Sequence, residues 1–278
     1  RAIRRREPDF DLKRLPDGDA ATFAMLGDGK TAGVFQLESA GITGVCVNMK
    51  PQSIEDLTAI VALYRPGPMD SIPRFIACKH NPELVRYKHP MLQPILSVTY
   101  GCIVYQEQVI EIFRKLAGYS LGQADMVRRA MSKKKVKDIE REREAFLHGD
   151  PDRKIAGCAA RGISEDVAQS IYNEIYDFAN YAFNKAHAVA YAVVAYQTAW
   201  FKCHHTREYM AALLTSVLDS QEKVAEYIAE CRENGIQLLP PDINESGATF
   251  TVSGQNIRFG LAALKGVGRG FMEAVLRE

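Results

Sequence analysis

The densest run of chemistry-bearing side chains spans Arg128 to Lys137, Arg-Arg-Ala-Met-Ser-Lys-Lys-Lys-Val-Lys, with six positive charges in ten residues and no acid. The following stretch, Asp138 to Glu144, mixes both signs with acids in the majority. Solvated helical faces ordinarily mix signs in that second manner. The all-positive run therefore reads as a phosphate-binding patch, although composition alone is as compatible with a surface charge run. Arg129 and Lys133 stand four apart, one helical turn, and can converge on a single anion. Charge by itself does not say which polyanion.

A second constellation is Phe-Asn-Lys-Ala-His at 183–187, which opens a long apolar stretch. Lys185 and His187 would sit on the first turn of that helix, where unpaired amides and the dipole already favour an anion. The set is compatible with a triphosphate site, or with an asparagine cap beside an exposed lysine. Two further features are weaker. Pro-Asp-Phe-Asp at 8–11 places two carboxylates on one side of a strand, a spacing able to hold a divalent metal. No third acid is presented, and the segment reads as a loop. Leu-Lys-Gly-Val-Gly-Arg-Gly at 264–270 suits a turn between two helices whose glycines let backbone approach a phosphate. His204 and His205 are adjacent, point to different faces and lack partners at metal spacing.

The elements that must carry these groups are mostly helical. Val109, Ile112, Phe113 and Leu116 form one apolar stripe, and Gly118 supplies a stop. Ser120 and Gln123 have capping-box spacing before Ala124 to Met131. A helix from about Ser164 carries Val167, Ile171, Ile175 and Phe178 on one face. Ala186 to Lys202 is apolar nearly all round and is expected to be buried throughout. Helices near Glu208–Leu218 and Glu222–Asn234 follow, the second closed by Gly235. Arg-Pro-Gly-Pro at 65–68 and Pro240-Pro241 break the pattern. Phe250, Val252, Ile257 and Phe259 flank Ser-Gly-Gln at 253–255 and predict a β-hairpin. A boundary is expected near 236–242, dividing 1–236 from 237–278.

The 278 residues carry 35 Lys and Arg against 34 Asp and Glu, a net charge of +1, with 47% hydrophobic and 25% charged residues. These values exclude a disordered, collagen-like or mucin-like chain and a uniformly basic arm, but not a local basic patch. Six cysteines at 46, 78, 102, 158, 203 and 231 form no Cys-x-x-Cys pair, which argues for reduced core thiols of a cytosolic protein. The apolar run from Ala186 to Trp200 falls short of the roughly 20 residues of a membrane span. The opening Arg-Ala-Ile-Arg-Arg-Arg-Glu and the end at Leu-Arg-Glu read as a piece of a longer chain.

Taken in order, GVFQLES (33–39), ALYRPGPM (62–69), TYGCIVYQEQV (99–109), LAGYSLGQADMVRRAMSKKK (116–135), FANYAFNKAHAVAYA (178–192) and LPPDIN (239–244) resemble the bacterial DNA polymerase III alpha subunits, C-family replicative polymerases. The likeness runs over nearly the whole chain. It implies a mainly α fold: a multi-helix polymerase fingers domain, a small β-hairpin and the start of a helix-hairpin-helix region. It implies templated addition of deoxynucleotides to a primer 3′ end. It assigns Mg2+ to palm aspartates of the parent that lie outside this chain, so Asp9 and Asp11 are not the metal pair and the chain alone is expected to be inactive. By motif, Arg128, Arg129, Lys133, Lys185 and His187 go to the incoming dNTP. Lys134, Lys135, Gly266 and Gly268 go to DNA. Arg65, Tyr105 and Gln106 take positioning roles. Implied partners are primer-template DNA, dNTPs and holoenzyme subunits including the sliding clamp, the last through other regions, with no membrane and a cytoplasmic location. The chain departs from the family at Ala182, where it usually has glycine, at Ala186, where it has serine, and at His204–Thr206, where it has His-Tyr-Pro. The alternatives are a DNA-binding module derived from fingers, without nucleotide use, and a helical domain whose basic run is merely solvated.

Overall fold

The computed structural model describes residues 2–132, 136–179 and 183–264, together with 266, 270 and 274. Helices dominate, in the order α1 (Ala20–Gly27), α2 (Ala40–Met49), α3 (Ile54–Leu63), α4 (Ile72–His80), α5 (Gln93–Leu96), α6 (Gln106–Ala117), α7 (Leu121–Ser132), α8 (Val136–His148), α9 (Glu165–Ala179), α10 (Lys185–His204), α11 (Thr206–Ser216) and α12 (Gln221–Glu233). Three short strands follow: β1 (Leu238–Leu239), β2 (Thr251–Ser253) and β3 (Asn256–Arg258). Among the described residues, no helix is long and apolar enough to cross a membrane. The chain packs as two compact units, one of residues 1–53 with 194–278, the other of residues 54–193.

In the unit of residues 54–193, α6 is the hub. Val109, Ile112, Phe113 and Leu116 are all fully buried, as their spacing predicts. The Phe113 ring meets Tyr119, Phe146 and Tyr172 edge-on, with centroids 5.1, 5.0 and 6.2 Å away. These partners bring α7, α8 and α9 against α6. Gly118 ends α6 at φ 79°, a left-handed conformation that glycine adopts without a steric penalty. The capping box at the start of α7 is present: Ser120 N donates to Gln123 Oε1 at 2.8 Å and Gln123 N donates to Ser120 Oγ at 3.3 Å. On α9, Ile171 and Ile175 are buried, with Val167 and Phe178 packed beside them.

In the other unit, α11 and α12 pack around Met210, Leu214, Tyr227 and Cys231, and the sheet closes over them with Ile257. The expected hairpin is β2 and β3, antiparallel with Val252 opposite Ile257. β1 adds parallel to the far edge of β3, a pairing the sequence pattern did not announce. All six cysteines are free, and five are buried. Burial pushes the Cys46 and Cys231 thiols up to about 12, which keeps them protonated and unreactive.

One local expectation changes. Helix α10 is not buried all round. Its buried stripe is Ala188, Ala192, Ala195, Tyr196, Ala199 and Lys202, while Val194 is 43% exposed. Lys202, only 2% exposed, donates to Ala32 O at 2.8 Å, Lys30 O at 3.1 Å and Glu230 Oε1 at 2.6 Å. That set supplies the three acceptors a buried ammonium needs. At the α10–α11 joint, the Thr206 hydroxyl donates to Lys202 O at 2.7 Å.

Phe113→Ala removes the ring on which α7, α8 and α9 converge. It is expected to lower the unfolding free energy by about 3–5 kcal/mol, read as a shift in the urea midpoint. A midpoint equal to the parent's would show that α6 is not the hub.

Candidate functional site

The site grows from five consecutive residues, Val104 to Gln108, where an extended segment turns into α6. The root is Gln108, whose side-chain amide is buried with both ends used. Its Oε1 accepts from Val104 N at 2.8 Å and Tyr105 N at 2.9 Å. Its Nε2 donates to Thr99 Oγ1 at 2.7 Å and Ile95 O at 3.2 Å. An amide satisfied in this way fixes the backbone it binds, because any slip leaves a buried donor or acceptor unpaired.

The fixed segment then holds the start of α10. Phe183 N donates to Val104 O at 3.3 Å and Gln106 N to Phe183 O at 2.9 Å, a parallel bridge between Tyr105 and Phe183. The Arg65 guanidinium lies 3.9 Å from the Phe183 ring centroid, a cation–π contact. Glu107 completes the junction. Lys185 N donates to Glu107 Oε1 at 3.1 Å and Oε2 at 3.0 Å, and Asn184 Nδ2 donates to Oε1 at 3.2 Å. His187 N is capped by Asn184 Oδ1 at 2.8 Å.

The leading amide of α10 therefore binds an internal carboxylate. The Lys185 and His187 side chains point elsewhere. Lys185 Nζ lies 3.4 Å from Glu55 Oε2 and 5.4 Å from the Tyr105 ring centroid. His187 is exposed, with its ring 4.3 Å from Tyr191 and 5.4 Å from Phe183. Burial, then the charges of Glu55, Asp56 and Glu107, raise the pKa of Tyr105 and keep its hydroxyl neutral.

The same segment reaches the basic helix. Gln106 Oε1 accepts from Arg128 Nη1 at 3.2 Å. Arg128 also donates to Asp125 Oδ1 from Nη2 at 2.7 Å and from Nε at 3.1 Å. Arg129 Nη2 lies 2.8 Å from Asp125 Oδ2. One carboxylate thus bridges both arginines from i+3 and i+4. The two differ in exposure: the Arg128 side chain is 18% exposed and that of Arg129 67%. Arg128 faces the protein and Arg129 the solvent.

The predicted residues thus divide. Arg65, Tyr105, Gln106, Arg128, Arg129, Lys185 and His187 all lie in the unit of residues 54–193, joined through the 104–108 segment. Lys133, Lys134, Lys135 and Gly268 lie outside the described residues, as does Ala182. Gly266 is exposed at φ 84°, with nothing within 4 Å of a built Cβ; backbone conformation rather than crowding favours glycine there. Glu55, Glu107, Gln108 and Asp125 do not stand out in the sequence as site residues. Glu107 and Gln108 could have been noticed as polar residues opening a strongly amphipathic helix, Gln108 directly before its first apolar position.

Asp11 caps a short turn, accepting from Lys13 N at 3.0 Å. The expectation that His204 has no partner at ligand distance is corrected. The fold brings Asp19 Oδ2 to 2.8 Å from His204 Nε2 and places Cys203 beside them. Burial would raise the Asp19 pKa, but hydrogen bonds from Thr22 and His204 outweigh it and hold the carboxyl below its usual value. A thiol, an imidazole and one hydrogen-bonded carboxylate are not the all-oxygen set that Mg2+ requires. That cluster does not fit Mg2+.

Residues 1–153 match the family described as "Bacterial DNA polymerase III alpha subunit finger domain", and residues 235–278 match the helix-hairpin-helix motif. The chain is 46% identical over 275 residues to the DNA polymerase III subunit alpha of Thermus aquaticus, covering 97% of this chain and 22% of that protein. It is 45% identical over 259 residues to that of Bacillus subtilis, covering 93% and 22%. With that of Borreliella burgdorferi it shares 43% over 276 residues, covering 99% and 23%. The chain thus spans less than a quarter of the length of these relatives.

The hydrogen bond from Arg128, opposed by partial burial and reinforced by the two arginine charges, holds the Asp125 carboxyl below its usual value. A carboxyl lowered on folding stabilises the fold above its unfolded pKa of about 3.9 and loses that contribution as pH falls through the folded value. Asp125→Asn is therefore expected to flatten the fall in stability below about pH 4, followed by urea midpoints across a pH series. Parallel acid limbs for the two proteins would rule out this bridge.

Proposed function

The chain belongs to the bacterial DNA polymerase III alpha subunit finger family, and on that premise we propose that it holds the triphosphate of an incoming deoxynucleotide against primer-template DNA. The parent is then a DNA-directed DNA polymerase, a nucleotidyltransferase that extends a primer 3′ end during replication. The observation that carries this reading is that Arg128 of α7 and the start of α10 are held by adjacent residues, Gln106 and Glu107, with Arg129 joined to Arg128 through Asp125.

Phosphoryl transfer asks a protein mainly for positioning and charge stabilisation. Arg129 offers donors to solvent, while Arg128 is oriented by Asp125 and Gln106. Lys185 and His187 project from a clamped backbone. These groups would fix the phosphate chain, with Lys133 assigned to the same task. Lys134, Lys135, Gly266 and Gly268 are assigned to the DNA backbone, and the helix-hairpin-helix match at residues 235–278 supports DNA contact by that end. The division into a fingers part, 1–236, and a C-terminal part, 237–278, is kept on this basis.

The Mg2+ ions are assigned to palm carboxylates of the parent that lie outside this chain. This chain alone is proposed not to extend a primer. Contacts with other replication subunits, including a sliding clamp, are assigned to other regions of the parent, and the parent to the cytoplasm.

Fluorescence anisotropy of a labelled primed template across a salt series tests the reading. Arg128→Ala, Arg129→Ala and Lys133→Ala combined should weaken binding. They should also flatten the log–log salt dependence by roughly one unit for each phosphate that is no longer neutralised. Superimposable curves from a folded triple variant would make the basic run a solvated face. DNA binding that the triple variant loses, in a polymerase whose dNTP binding does not depend on these residues, would instead favour a DNA-contact role for the basic run and not a triphosphate role.

A further inference from the structure

We propose that Glu107 is a positioning residue for the incoming nucleotide: it takes the place of an anion at the end of α10, so that the phosphates are read by the Lys185 and His187 side chains. This role presupposes the nucleotide reading of the site and specifies how it is built.

A carboxylate beside a triphosphate site is at first sight counterproductive, because like charges repel. At Glu107 the charge is directed into the protein. Both oxygens accept from Lys185 N, at 3.1 and 3.0 Å, and one also accepts from Asn184 Nδ2 at 3.2 Å. A second amide of this turn, His187 N, is taken by Asn184 Oδ1. The positive end of the helix is thereby occupied from within. Two amides of this turn are thus taken, and the side chains that leave it, a lysine ammonium and an imidazole, are offered to a phosphate.

The clamp also sets a distance. Gln106 and Glu107 are consecutive. Gln106 holds Arg128 through Oε1 at 3.2 Å, while Glu107 holds the Lys185 backbone. Their footing is the first turn of α6, anchored by the four hydrogen bonds of Gln108 and by the fully buried Val109. The span between the arginine pair and Lys185 is thus fixed by two neighbouring residues on one rigid turn, although neither offers a cation to the nucleotide.

The experiment uses the full-length polymerase that carries this chain, with dNTP titrations of primer extension and separate measurement of primer-template affinity. Glu107→Gln keeps the size but turns an amide donor toward the Lys185 N–H. It is expected to raise KM for dNTP about tenfold, with kcat changing less and DNA affinity unchanged. Glu107→Asp keeps the charge with a shorter reach and should recover part of that loss. A KM within about twofold of the parent's in folded Glu107→Gln would overturn the proposal. A lowered KM would do so as well, since the carboxylate would then be a competitor of the phosphates. Should Glu107→Gln not fold, Gln106→Ala removes the arm to Arg128: a raised KM supports the spacer and an unchanged one overturns it. Lys185→Ala separates the two levels of inference. If it leaves KM unaltered, the nucleotide reading itself fails. If it raises KM while Glu107→Gln does not, only the positioning role is lost.

Discussion

Backbone amides and carbonyls removed from water must find partners, and at residues 104–108 that requirement organises everything nearby. The segment leaves one element and enters another, so its own hydrogen bonds cannot all be local. Gln108 answers for two amides, Phe183 for one amide and one carbonyl, and Glu107 lends its acceptors to the helix that Phe183 precedes. Tyr105 fills the space beneath Lys185, and Gln106 reaches across to Arg128. Without this exchange Arg128 and the backbone of Lys185 would lose the hydrogen bonds that tie them to one turn.

The electrostatics follow the same plan. A net charge of +1 over the chain conceals a local grouping of cations, each given an acidic or aromatic companion. Asp125 bridges Arg128 and Arg129, Glu55 stands by Lys185, and Phe183 lies under Arg65. Such companions restrain long side chains that would otherwise lose considerable freedom on meeting a ligand. They also temper the field, so that binding depends on geometry as well as on charge.

How much of this the sequence showed depended on whether a feature is periodic. The apolar stripe of α6, the Ser120–Gln123 cap and the β2–β3 hairpin were legible because each depends on residues a few positions apart. The basic run and Lys185 stood out by type. Glu107, Gln108 and Asp125 did not: Glu107 meets partners far along the chain, Gln108 meets backbone groups of an irregular segment, and Asp125 meets arginines whose own role was in question. The same is true of Asp19 with His204, which only the fold brings together. The expectation of an all-buried α10 failed for a related reason: alanine counts as apolar, yet at Ala186 and Ala190 it tolerates solvent at little cost. Lys202 shows the reverse, a charged residue buried because three acceptors meet it.

The contacts between Glu107 and the start of α10 join positions 77 and 78 residues apart. Helices such as α6 or α9 can form from neighbouring residues alone, but this junction requires a long loop to close first, and loop closure costs entropy before any contact rewards it. The junction therefore cannot be completed by helix formation alone. A nascent or refolding chain with its helices already formed would still lack it, so that the proposed site reports the finished topology rather than the mere presence of secondary structure.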